Sequence, residues 1–108
     1  MATNEPKLLA ETTLTDGGPD TLFTVPSGHS YVVQQISITN TGGTDRDVDI
    51  LLNAAQYLRK AINVPGTGTK RTVTFDGNIT FEATDVLSMV SANGTDLDVI
   101  IAGIDRTL

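Results

Sequence analysis

The chain has 108 residues, 13 acidic and 7 basic side chains for a net charge of −6, 39% apolar and 5% aromatic content, and no cysteine. That length fits one domain with a single core. An acidic surface with dispersed Lys and Arg opposes binding to nucleic acid or an anionic membrane, and the lack of thiols removes disulfides, thiolate metal sites and cysteine nucleophiles.

The N-terminal "MATNEPKLLAETT" carries acid and proline where a signal peptide has a basic segment and an apolar run. Residues 1–7 read as an arm, flexible or ordered against a neighbour, and 8–108 as one domain. "KLLAETTL" (Lys7–Leu14) is strand-like and runs into the turn signal "TDGGPD". "TLFTV" (Thr21–Val25) follows and ends at "PSGH". In "SYVVQQISITN" (Ser30–Asn40), Val32, Ile36 and Ile38 are expected to face a core, with Gln34 breaking the alternation. After "TGGTD", "RDVDILLN" alternates Val48, Ile50 and Leu52 with Asp47, Asp49 and Leu51. "AAQYLRKAINV" lacks a capping box, so it is read as a strand continuing through a turn near Asn53–Ala54 and not as a short helix. "KRTVTFD" and "NITFEA" read as two strands parted by "DG". "DVLSMVSA" and "DLDVIIAGID" close the chain, with Asn93–Gly94 between them as a hairpin signal.

The apolar run "VIIAGI" (Val99–Ile104) is far short of the ~20 residues that span a bilayer. About eight short strands with polar alternates and frequent turns predict an all-β fold. The expected form is an antiparallel β-sandwich, jelly-roll or immunoglobulin-like, with a small barrel as the other possible closure.

His29, the only histidine, sits between Ser27 and Ser30 and invites a Ser–His–Asp reading. No G-x-S-x-G elbow accompanies it, and the residue is read as part of a solvated loop. Asp45, Asp47 and Asp49 alternate along one strand, and Asp96 and Asp98 along another. Such stripes could face a hard cation, but no calcium-loop motif is present, and a solvated acidic face is the reading adopted. "PGTGTKR" is not a phosphate loop, and "NIT" and "NGT" read as turns, not as glycosylation sites. Tyr31 and Tyr57 are the only plausible rings for sugar stacking, and both read as rim or core packing residues. An alternate face with Tyr31, Val33 and Leu51 suggests an interface. Candidate contact residues are therefore Pro6, Lys7, Tyr31, Val33, Leu51 and Tyr57. No catalytic residue, metal ligand set or cofactor is expected.

The stretch Thr21–Asn53, "TLFTVPSGHSYVVQQISITNTGGTDRDVDILLN", resembles a phrase found in small virion proteins of tailed bacteriophages. The pattern is T-L-[YF]-T-V-P-x-G-x-x-Y-x-V, a strand ending in T-N, a Gly-rich turn, and a strand ending near Leu-Asn. Pro26 ends one strand and Gly28 permits the reversal. No catalytic residue belongs to the phrase. The resemblance implies a non-enzymatic capsid decoration (cement) protein, made in the host cytoplasm and carried on the virion exterior. It also implies a homotrimer bound to the major capsid protein. A tail or head-fibre module that binds a receptor or carbohydrate is the alternative.

Overall fold

Thr, Val and Ile dominate the segments between turns, and such branched side chains fit a pleated, half-buried surface. The computed structural model describes residues 3–68, 71–91 and 94–107. Met1 and Ala2 of the expected arm, Thr69 and Lys70 of "PGTGTKR", and Asn93 of the "NGT" turn lie outside them. Eight strands form: β1 Thr3–Thr13, β2 Asp20–Thr24, β3 His29–Asn40, β4 Arg46–Leu52, β5 Gln56–Val64, β6 Thr72–Phe81, β7 Val86–Ser91 and β8 Leu97–Thr107. Residues Thr3 to Lys7 of the expected arm thus lie in β1, in register with β8 from Thr3↔Thr107 to Lys7↔Gly103. No helix among the described residues is long and apolar enough to cross a membrane.

The strands split into two four-stranded antiparallel sheets, ordered β1-β8-β3-β6 (the first sheet) and β2-β7-β4-β5 (the second). Only the β4–β5 connection joins neighbours within one sheet; every other connection crosses between the two. That order is the jelly roll, and it decides between the two sandwich types expected from sequence. It also corrects the hairpin expected at Asn93–Gly94, because β7 and β8 belong to different sheets.

A line of bulges crosses the first sheet. β8 runs through it regularly, while β1 carries an extra residue at Leu9 and β3 one at Gln34. In β6 the pairing steps from Asp76↔Gln35 to Ile79↔Val33, so Gly77 and Asn78 oppose Gln34 alone. The "DG" read as a break between strands is therefore a bulge inside one continuous strand. The β3 bulge also switches which side chains face inward. Tyr31 and Val33 are buried before it, and Ile36 and Ile38 after it. Val32, expected in the core, is instead half-buried on the outer side.

The inward faces of both sheets meet in one core. The first sheet supplies Val33, Ile36, Ile38, Val99 and Ile101, and the second supplies Val48, Ile50, Leu87 and Met89. At one end Phe23 packs edge-to-face on Tyr31 and Phe81, with centroids 5.1 and 5.2 Å apart. Gly103 pairs with Val33 of β3, and a Cβ there would overlap the Val32 carbonyl oxygen.

Two turns follow directly from their residues. Asn53 and Ala54 both have positive φ (54° and 56°), and the Ala55 N–H donates to the Leu52 carbonyl at 3.1 Å. Positive φ at both central positions matches a type I′ turn, here inside a three-residue connection because Leu52 pairs with Gln56, and it confirms the strand–turn–strand reading of "LLNAAQYL". At the "TNTGG" stop, Asn40 is buried and acts as a bracket. Its Nδ2 donates to Thr44 O (2.7 Å) and Val64 O (3.1 Å), and its Oδ1 accepts from Gly42 N (2.9 Å).

Candidate interaction surfaces

His29 opens β3, and the sheet register brings it beside the last turns of β8 and the first half of β1. Its Nδ1 lies 2.8 Å from Asp105 Oδ1, and Lys7 Nζ lies 3.2 Å from Asp105 Oδ2. The ring and then the ammonium hold the Asp105 carboxyl below the usual carboxylate range, against the opposing effect of its burial. Asp105 in turn raises the pKa of Lys7. His29 is thus tied into the sheet instead of standing in a free loop. The pair lacks a nucleophile, however. Ser30 is buried, Ser27 is exposed, and neither hydrogen-bonds to the ring among the described residues. The cluster ties β1, β8 and β3 together at one end of the first sheet.

The aspartate stripes have a local explanation. Asp45, just before β4, accepts from Gly66 N, and Asp47 and Asp49 within it accept from Asn63 Nδ2 and Ala61 N, so the stripe grips β5 and the loop after it. Ala61 has positive φ (55°) within a β5 bulge, and the Asp49 carboxylate satisfies its N–H there. Asp96 pairs with Arg46 at 3.1 Å, which holds its carboxyl below the usual range, and Asp98 accepts from Thr13 Oγ1. Asp16, Asp20, Asp76 and Asp85 also accept hydrogen bonds, so every aspartate of the sequence is an acceptor. No hydrogen bond reaches the carboxylates of Glu5, Glu11 or Glu82 among the described residues. No group of three His, Asp or Glu side chains placed to share a metal ion occurs among them either.

The six expected contact residues separate. Tyr31 (8% exposed) and Val33 (2%) lie in the core because the Gln34 bulge turns them inward, so they do not form the outward apolar face expected of them. Leu51 and Tyr57 are register partners on the second sheet. Leu51 is half-buried and Tyr57 is 53% exposed, with Lys60 Nζ 4.9 Å from its ring centroid. Pro6 and Lys7 are both exposed on the edge strand β1. Between β5 and β6 a cleft of about 150 Å³ opens onto Val33, Ile36, Leu58, Phe75 and Ile79, with Arg59 stacked over Phe75 at 5.1 Å.

Sequence reasoning missed the outer face of the first sheet. Alternate residues of β8 point away from the core there: Asp98, Ile100, Ala102, Ile104 and Arg106. Register places Pro6 beside Ile104 and Leu8 beside Ala102 on one flank, and Val32 beside Ile104 on the other. Leu8 and Ile100 are 48% and 47% exposed. The signal was present in "VIIAGI", because an unbroken apolar run in an antiparallel strand makes both faces apolar.

No family model matches the sequence, and no curated protein matches it. Among solved structures, the chain superposes on one from the "acidic stable capsid" of Helicobacter pylori bacteriophage KHP30. The TM-score is 0.58 at 18% identity, covering 100% of this chain and 94% of that one. A chain of the virus-like particle of the Macrobrachium rosenbergii extra small virus gives a TM-score of 0.50 at 9% identity, covering 97% of this chain and 78% of that one. The C-terminal CBM6 of LamC from Zobellia galactanivorans reaches 0.44 at 16% identity with full coverage of both chains, too distant to carry an argument. The likeness in each case is one of fold.

Proposed function

We propose that the chain is a structural protein of a bacteriophage virion that decorates the outer surface of an assembled capsid. The reading is carried by one coincidence: the Thr21–Asn53 phrase occurs in a chain whose described residues fold as a jelly roll and which superposes on a KHP30 capsid chain with 100% of this chain and 94% of that one covered. The acidic surface fits a place outside the nucleic-acid-filled interior. The mechanism is linkage. A protein that binds only the assembled shell stabilises it by about 2.7 kcal/mol per site when present at ~100 times its dissociation constant. We assign the shell contact to Leu51, Tyr57 and Lys60 on the second sheet, where an exposed ring and a cation stand together. Mixing the purified chain with undecorated capsids tests the reading. Co-sedimentation and a raised shell melting temperature are expected, and both should weaken in Tyr57→Ala. No binding and no thermal gain would refute the assignment.

The exposed Tyr57 ring also favours a second reading, a receptor- or carbohydrate-binding module of a tail or fibre. With Tyr31 buried, it has a single exposed tyrosine ring on which to stack a sugar. Binding on a glycan array that is abolished in Tyr57→Ala would replace the first reading with this one.

A further inference from the structure

The outer face of β8 reads, in alternate positions, Asp98, Ile100, Ala102, Ile104, Arg106. The apolar residues are symmetric about Ala102, and the two ends carry opposite charge. Leu8, Pro6 and Val32 widen this strip into a patch, and patches of this kind on a monomer mark an interface. We infer that the outer face of the first sheet packs against the same face of a second copy of this chain, forming a two-fold dimer.

The charge pattern selects the geometry. A face-to-face pair of sheets can be related by a two-fold axis along the strands or across them, in the plane between the sheets. The axis along the strands lays the two β8 strands parallel and stacks Arg106 on Arg106 and Asp98 on Asp98. The axis across the strands, at the level of Ala102, lays them antiparallel. Ile100 then meets Ile104, Leu8 meets Leu8, and Asp98 of each copy meets Arg106 of the other. Opposite charges at both rims favour the second arrangement over the first, although it also sets Asp76 of the edge strand β6, level with Ala102, opposite Asp76 of the second copy. Arg106 makes no ion pair within its own chain among the described residues, so its charge is available. Such an interface is isologous, because each residue's partner has the same partner in return.

The size is adequate. Four strands spaced ~4.8 Å apart, and a β8 rise of ~3.3 Å per residue, give the whole face, apolar patch together with polar neighbours such as Glu11, Gln35 and Ser37, an area of about 700 Å². The standard interface buries about 800 Å² of accessible surface per partner, and accessible surface exceeds the flat projection. A three-fold ring could not use this patch on itself, since rings need two different complementary patches. The inference therefore departs from the trimer implied by the family resemblance. It does not depend on the shell-binding reading, which rests on the other sheet.

Sedimentation equilibrium of the full chain tests it. The expected mass at micromolar concentration is twice the 11.4 kDa of one chain. Ile100→Glu, at an exposed site, should remain folded by circular dichroism and sediment as a monomer. Asp98→Arg or Arg106→Asp alone should raise the dissociation constant roughly tenfold, and the double swap should return it to within about threefold of the original. A wild-type chain that stays monomeric at millimolar concentration overturns the proposal, as does a trimer. A double swap no tighter than the single swaps also overturns it.

Discussion

Replacing Asn40 by Ala should be the most damaging polar substitution in the chain. The side chain is 1% exposed and makes three hydrogen bonds, to Thr44 O, Val64 O and Gly42 N. Each bond contributes about 1 kcal/mol net, and leaving a buried partner unsatisfied costs ~1–3 kcal/mol. With some recovery by water at the loop side, the loss is about 3–5 kcal/mol. A domain of this size has roughly 5–15 kcal/mol of stability, so about a fifth or more would be removed. At about 4 °C per kcal/mol the melting temperature should fall by ~12–20 °C. Urea titration followed by circular dichroism measures the change, with an unaltered slope showing that the denatured state is unaffected. Asn40→Asp separates shape from chemistry. It keeps the volume but turns an oxygen toward two carbonyl oxygens, and should be at least as destabilising. A loss under about 1 kcal/mol for Asn40→Ala, or an Asp variant as stable as wild type, would refute the bracket.

Ala54→Gly should stabilise the fold by about 0.5–1 kcal/mol, since left-handed backbone costs alanine ~1–2 kcal/mol and glycine's extra unfolded freedom offsets only part of that. A fall in the urea midpoint would contradict the type I′ turn. Gly103→Ala should destabilise by roughly 1–3 kcal/mol or more, because the added methyl forces β3 and β8 apart, and a melting temperature within ~2 °C of wild type would show the contact to be looser than described. Asp105 has a carboxyl pKa depressed in the folded state, by His29 first and Lys7 second. Its contribution is complete above the unfolded value of about 3.9 and is lost as pH falls through the lower folded value. Asp105→Asn should be less stable at neutral pH and show a flatter loss of stability between about pH 4 and pH 2.

Period-2 alternation made most strands legible, because a sheet with one wet face writes its pattern directly into the chain. The β4–β5 turn was legible too, since an alternating run leads into Asn53–Ala54 and no capping box starts a helix there. The bulges were less so. Gln34 registered as a break in pattern, but alternation alone does not say whether a break is an error or a shift of parity, and Tyr31 and Val33 were placed on the wrong face. Gly77 looked like a turn because glycine serves both turns and bulges. The partner of His29 lies 76 residues away, and only the strand order brings Asp105 to it. Of the expected contacts, Tyr57, read as a rim or core packing residue, stands exposed, with no bulge between it and the turn.

The universal use of aspartate as an acceptor separates two things that composition joins, the isoelectric point and the fold. Asparagine offers a neutral oxygen at the same reach, whereas glutamate keeps the charge but carries it one methylene too far. Wherever the donor is a backbone or side-chain amide or a hydroxyl, as at Asp20, Asp45, Asp47 and Asp49, the chain could be recoded toward neutrality with its turns intact. Charge-preserving changes to glutamate at the same sites would loosen them. The acidity of this protein is thus an outcome of how its loops are fastened, and its electric field could be redesigned almost independently of its shape.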